Sequence, residues 1–154
     1  MISVIIPYHH SIKLLCEVIN NLCEGLDPNL FEIIIVNDGS VSSNGRFAPL
    51  KINRPNIKVI NTTIQYGVGY SFDRGVEKAS GDSIVLMGAD VFVRQRSWLQ
   101  DVVYATKAYP DTIGCAVGSG DMGRDRLVLG TELLYLLLYP VGSLGGDGGG
   151  YFGP

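Results

Sequence analysis

The run FEIIIV at residues 31–36 is apolar at every position but one, and so is ISVII at residues 2–6. A strand with one face in water alternates apolar and polar residues; one apolar nearly throughout is covered on both faces. Three further short β-branched runs follow, Ile57 to Asn61 (IKVIN), Ser83 to Met87 (SIVLM) and Ile113 to Gly118 (IGCAVG), not all of them apolar throughout. All are bounded by Pro, Asn, Asp or Gly, which end strands. Between them the apolar spacing changes to a helical period. Leu15, Val18, Ile19 and Leu22 share one face; Val68, Phe72, Val76 and Ala79 another; Leu99, Val102, Val103, Thr106 and Tyr109 a third. Strands alternating with helices predict an α/β fold: a mostly parallel twisted sheet with helices on both faces, Rossmann-like in class.

In such sheets ligands bind outside the carboxyl ends of the strands. The residues to examine are therefore Pro7, Tyr8, His9 and His10 after the first strand, Asn37, Asp38, Gly39 and Ser40 after the second, and Gly88, Ala89 and Asp90 after the fourth. Asp90 is the one charge in VLMGADVFV. Burying a lone carboxylate is costly, so it needs a partner or a place on the rim. His9 and His10 read as solvated loop residues pointing in different directions, not a chelating pair.

With 154 residues, 46% of them hydrophobic, the chain has the size of one domain with one core. A formal net charge of −3 with scattered Lys and Arg supplies no basic stripe, which argues against duplex nucleic acid as a partner. Cys16, Cys23 and Cys115 lack metal or disulfide spacing and read as small buried hydrophobes. MISVIIPYHH has no basic n-region and is broken by Pro7, so it does not read as a secretory signal. Leu133 to Tyr139 is far short of the roughly 20 residues that span a bilayer. The expectation is a cytoplasmic protein. The run 126–142 reads as a core helix, with a peripheral membrane contact as the alternative. Glycine-rich 141–154 has no periodicity. Residues 119–154 read as a partial segment beyond the 1–118 core, with truncation one explanation.

VNDGS, residues 36–40, is on its own a turn: Asn and Asp bond their own backbone and Gly accepts positive φ. In order, however, SVIIPYHH, EIIIVNDGS and GVGYSFDRGVEKASGDSIVLMGAD resemble the nucleotide-binding half of the family 2 glycosyltransferases, which have the GT-A fold. The resemblance covers residues 2–118.

That resemblance implies a nucleotide-diphosphate sugar donor, first a UDP-sugar, and a sugar, protein or lipid acceptor. Pro7, Tyr8, Asp38, Gly39 and Ala89 become nucleotide-binding candidates. Tyr8 would offer a ring to the base, and Asp38 an acceptor for an imide N–H or a ribose hydroxyl. Asp90 becomes the ligand of an Mn2+ or Mg2+ ion that bridges the donor phosphates. Two departures matter. Gly88 stands where relatives have the first Asp of Asp-x-Asp, leaving one carboxylate where Mg2+ is often held by one or two. Phe72 stands where many have Arg, with Arg74 a weak substitute and Asp73 read as a rim or capping group. The base that would deprotonate the acceptor in an inverting transfer is unassigned, Asp147 being a weak candidate. A catalytically inactive nucleotide-sugar-binding module is the alternative function. A dehydrogenase-type site is disfavoured because Gly67 and Gly69 are followed by Phe72 in place of the third glycine.

Overall fold

A computed structural model describes residues 1–93 and 96–108. In chain order it has β1 (Ile2–Tyr8), α1 (Ile12–Cys23), β2 (Phe31–Asp38), β3 (Ile57–Thr62), α2 (Val68–Lys78), β4 (Ser83–Leu86) and α3 (Trp98–Ala108). The strands form one parallel sheet in the order β3-β2-β1-β4. Ile5 is level with Ile34 on one side and Leu86 on the other.

The apolar runs of β1 and β2 are explained by two cores, one on each face. Val4, Ile6, Ile33 and Ile35 join Leu15, Val18, Ile19 and Leu22 of α1 and Trp98, Leu99 and Val102 of α3. Ile5, Ile34, Ile84 and Leu86 meet Phe72 and Val76 of α2 on the other face. Each fully buried Ile or Leu contributes about 1.5–3 kcal/mol.

The face of α1 is the expected one. On α2, Val68 is instead 62% exposed, and the helix buries Ser71 and Gly75. Gly75 is what lets α2 approach: a Cβ there would collide with the Ile5 side chain. On α3 the buried face includes Trp98, set edge-on to Phe31 at 5.8 Å, and Val103 is 37% exposed.

The two polar residues in the apolar strands answer each other. Ser3 Oγ donates to Glu32 Oε1 at 2.6 Å, the Ser80 N–H donates to the same oxygen at 2.6 Å, and Lys58 Nζ lies 2.7 Å from Oε2. Burial opposes ionisation of Glu32, yet Lys58, Ser3 and Ser80 outweigh it and hold its carboxyl below the ordinary range. This cluster braces the end of the sheet opposite the rim. The expected fifth strand, Tyr109, Cys115, the run 126–142, the segment 119–154 and Asp147 lie outside the described residues.

Candidate donor site at the sheet switch point

The chain lays β2 and β3 to one side of β1 and then crosses to place β4 on the other. Strand order reverses between β1 and β4, and the crevice beyond their carboxyl ends is where such sheets bind ligands. Gly39, Ala89 and Asp90 follow their strands at this rim, while Pro7, Tyr8 and Asp38, expected just after their strands, are the last residues of β1 and β2.

At the end of β2, Asp38 is 5% exposed. Its Oδ1 accepts the Tyr66 N–H at 2.8 Å and its Oδ2 the Gly67 N–H at 2.8 Å; Thr62 Oγ1 approaches Oδ1 at 3.4 Å. Gly67 is the N-cap of α2, which has no side-chain cap of its own and no acid in its first turn. Asp38 supplies both from the neighbouring strand, satisfying orphan donors and facing the positive helix end. Each oxygen of this expected acceptor thus already takes one backbone N–H, with a second lone pair left on each. Gly39 follows at φ 66 with its Cα pressed on the Ile64–Gln65 backbone, where a Cβ would meet Ile64 O at 2.8 Å. Glycine is required there by both the dihedral and the contact.

Asn37 is fully buried, and its Nδ2 donates to Ala48 O at 3.0 Å and Asn61 Oδ1 at 2.8 Å. Asn61 in turn accepts the Leu50 N–H at 2.7 Å. These amides tie the 40–50 loop to the strand ends.

At the end of β1, Tyr8 is only 6% exposed and belongs to the core on the α1 face. Burial pushes its phenol above the usual range, against a Ser40 contact that lowers it. Its ring is therefore packed, not offered as a stacking surface. His9 Nδ1 lies 2.8 Å from Asp38 O. A carbonyl only accepts, so this nitrogen carries the proton and Nε2 is the acceptor of the neutral ring. The His10 N–H donates to Ser40 Oγ at 3.2 Å with φ at 78, and the two imidazoles pack with centroids 3.4 Å apart. His10 is exposed and His9 half-buried, as expected of solvated loop residues, but the expected divergence of the two rings is corrected by their contact.

The exposed aromatics of the rim come from elsewhere. Tyr66, 53% exposed, stacks on Tyr70 at 4.4 Å, and Arg74 lies over Tyr70 at 5.6 Å while pairing with Glu77 at 2.8 Å. Tyr66 immediately precedes the recognisable glycine block, one residue beyond the pattern that would have flagged it. Asp73 is exposed on the body of α2 and caps nothing.

At the end of β4 the last sheet bond is Met87 N–H to Ile5 O at 3.0 Å. Gly88, Ala89 and Asp90 then turn: the Val91 N–H points back to Gly88 O at 3.4 Å, Ala89 packs on the core, and Asp90 is exposed. A Cβ at position 88 would lie 2.7 Å from Asp90 Oδ1. Positions 88 and 90 thus face a common point. Among the described residues no three His, Cys, Asp or Glu side chains cluster as a metal site. A single exposed carboxylate fits a hard cation that keeps waters and takes its other ligands from phosphates.

The cysteines are not the expected buried pair. Cys16 is exposed and Cys23 half-buried, its thiol pushed up by burial against Arg54 and Asn56 contacts that lower it.

A family model described as Glycosyl transferase family 2 matches residues 3–142. The chain belongs to that family. This family 2 chain is 32% identical over 90 residues to a dolichol-phosphate mannosyltransferase of Pyrococcus furiosus, covering 58% of the chain and 26% of the relative. It is 26% identical over 96 residues to glycosyltransferase GlyG of Streptococcus pneumoniae, covering 62% and 32% respectively. The matched region thus spans about a third or less of these curated relatives.

Among solved structures it resembles residues 1–349 of S. aureus TarS in complex with UDP-GlcNAc, with TM-score 0.63 and 20% identity over 81% of this chain and 37% of that one. It also resembles the mannosyltransferase PcManGT of Pyrobaculum calidifontis in complex with GDP-Man and Mn2+, with TM-score 0.58 and 18% identity over 80% and 36%. These likenesses establish the GT-A fold of the family 2 domain.

Among the described residues, no helix is long and apolar enough to cross a membrane.

Proposed function

We propose that this family 2 chain carries the donor site of a metal-assisted glycosyltransferase, moving a sugar from a nucleotide-diphosphate donor, first a UDP-sugar, to a glycan, protein or lipid acceptor. The observation that carries this reading is the exposure of Asp90 on a turn at the switch point, beside the interlocked ends of β1 and β2. The complexes of the two structural neighbours, with UDP-GlcNAc and with GDP-Man and Mn2+, support the donor class.

In this reading Asp90 holds Mn2+ or Mg2+ together with the donor phosphates. A bound ion supplies neutralisation of the charge that develops on the departing diphosphate. Asp38 serves the nucleoside through the loop it fixes: it holds the Tyr66 and Gly67 amides and presents the Tyr66–Tyr70 pair at the rim. Stacked aromatic faces suit a base of either type. Pro7, Gly39 and Ala89 line the rim with little side-chain bulk. Transfer with inversion would need an acceptor-side base, and Asp147, the weak candidate for it, lies outside the described residues.

Thermal shift with UDP-GlcNAc and with GDP-mannose, each with and without Mn2+, tests the reading. A donor at 100 times its Kd should add about 2.7 kcal/mol. If no nucleotide sugar moves the transition, the donor site is refuted. Gly88 favours a second reading, a binding module without turnover, because it removes one of the two carboxylates. Donor hydrolysis or transfer with Mn2+ separates the two.

A further inference from the structure

We propose that Asn21 of α1 is a positioning residue for Asp90, clamping the segment that follows it. The inference rests on the reading of Asp90 as the metal ligand and adds the group that fixes its place.

After Met87 the backbone leaves the sheet, its last ladder bond being the one to Ile5 O. The next strong backbone anchor is Asn21. Its Oδ1 accepts the Val93 N–H at 2.6 Å and its Nδ2 donates to Val93 O at 3.0 Å. One amide side chain thereby gives Val93 both bonds that a neighbouring strand would give, although no strand is there. Asp90 lies midway between the two anchors, three residues from each. Among the described residues, the only other backbone bond within that span is the long one from Val91 N–H to Gly88 O at 3.4 Å. Asp90 is exposed in that turn, and beyond it Val91 and Val93 are buried with Phe92 exposed between them, so the segment alternates in and out as it leaves the turn.

A slip of one residue would turn Asp90 inward and carry the valines out, and the two Asn21 bonds oppose it together with the burial of the valines. The clamp selects the register that leaves the carboxylate outside. An asparagine in the last turns of a helix has no propensity advantage there. Its two bonds to Val93 account for its presence on a half-buried face. Groups that orient a metal ligand from outside its coordination sphere typically change metal affinity by about 10–100-fold when removed.

The test uses the full chain and compares donor affinity with Mn2+ against affinity in EDTA, for UDP-GlcNAc and GDP-mannose, by calorimetry. Asn21→Ala should reduce the Mn2+ advantage at least about tenfold while leaving affinity in EDTA within twofold of wild type. In the metal-free protein, amide exchange of Val93 and its neighbours should accelerate, with β1 and β2 unchanged. Asn21→Asp keeps the acceptor for the Val93 N–H but sets an oxygen against the Val93 carbonyl. It should lose part of the same advantage, and it carries the test if the alanine variant does not fold. Glu24→Gln at the C-cap of α1, which breaks the exposed 2.6 Å pair with Arg96, should leave the advantage intact. An equal Mn2+ advantage in wild type and both Asn21 variants overturns the inference while the donor reading stands. Donor binding by the wild type with no Mn2+ advantage overturns it too. No binding of either donor under any condition overturns the donor reading and this inference together.

Discussion

Asp38 Oδ2 accepts the Gly67 N–H at 2.8 Å, so the last residue of β2 bonds the N-cap of a helix 29 positions later in the chain. The second oxygen takes the Tyr66 N–H, and the loop between β3 and α2 hangs from one carboxylate. Replacing it with the isosteric amide, Asp38→Asn, keeps one acceptor and turns an NH2 toward a backbone donor. The expected loss is about 1–3 kcal/mol, read by urea denaturation, with weaker binding of any nucleotide sugar because Tyr66 is released. Unchanged stability would contradict the capping role.

The virtual Cβ at position 88 sits 2.7 Å from Asp90 Oδ1, so a carboxylate added there comes beside the one present. Gly88→Asp should raise Mn2+ affinity in the absence of nucleotide by about tenfold or more, since a second carboxylate adds both charge and a ligand. Asp90→Ala should abolish the Mn2+-dependent part of donor binding and leave the melting temperature of the free protein unchanged. Mn2+ titration followed by electron paramagnetic resonance checks both.

His10 holds φ at 78, a left-handed conformation that costs an ordinary residue about 1–2 kcal/mol. Glycine adopts it freely but loses about 0.5–1 kcal/mol of chain entropy on folding. His10→Gly should therefore stabilise the domain by up to about 1 kcal/mol in thermal unfolding. Destabilisation instead would show that the His9–His10 ring contact outweighs the strain.

Glu32 has its carboxyl held below the ordinary range in the folded chain, so in acid the unfolded state binds its proton first. Stability from this group is present above the unfolded value of about 4.3 and is lost as the pH falls through the lower folded value. Glu32→Gln should flatten that acid limb and lower stability at neutral pH, where Lys58, Ser3 and Ser80 lose their charged partner. Equal acid limbs in the two proteins would remove Glu32 as the cause.

The sheet was legible because its constraint is local. Apolar runs such as FEIIIV can be satisfied only by cover on both faces, and the cores on either side of β1 and β2 supply it. The rim was legible for the same reason, since strand ends follow from strand positions. Side-chain direction was not. For Tyr8 the resemblance offers a stacking ring and its place beside the next helix offers a packed one, and only the structure chooses, putting the ring in the core on the α1 face. Val68 reads as part of the buried face of α2, and the close seat of Gly75 on Ile5 rotates it into solvent.

What the sequence by itself determined is periodicity and turn chemistry: the α/β order, the left-handed glycine at position 39, and an exposed acid after β4. These depend on residues within a few positions of one another. Only the tertiary structure decided who partners whom across the rim. Asp38 finds Tyr66 and Gly67, His9 finds the Asp38 carbonyl, and Asn21 finds Val93. A hydrogen bond between residues 28 to 72 positions apart leaves no mark in local spacing. It exists only once sheet order has brought the strand ends and helix α1 together.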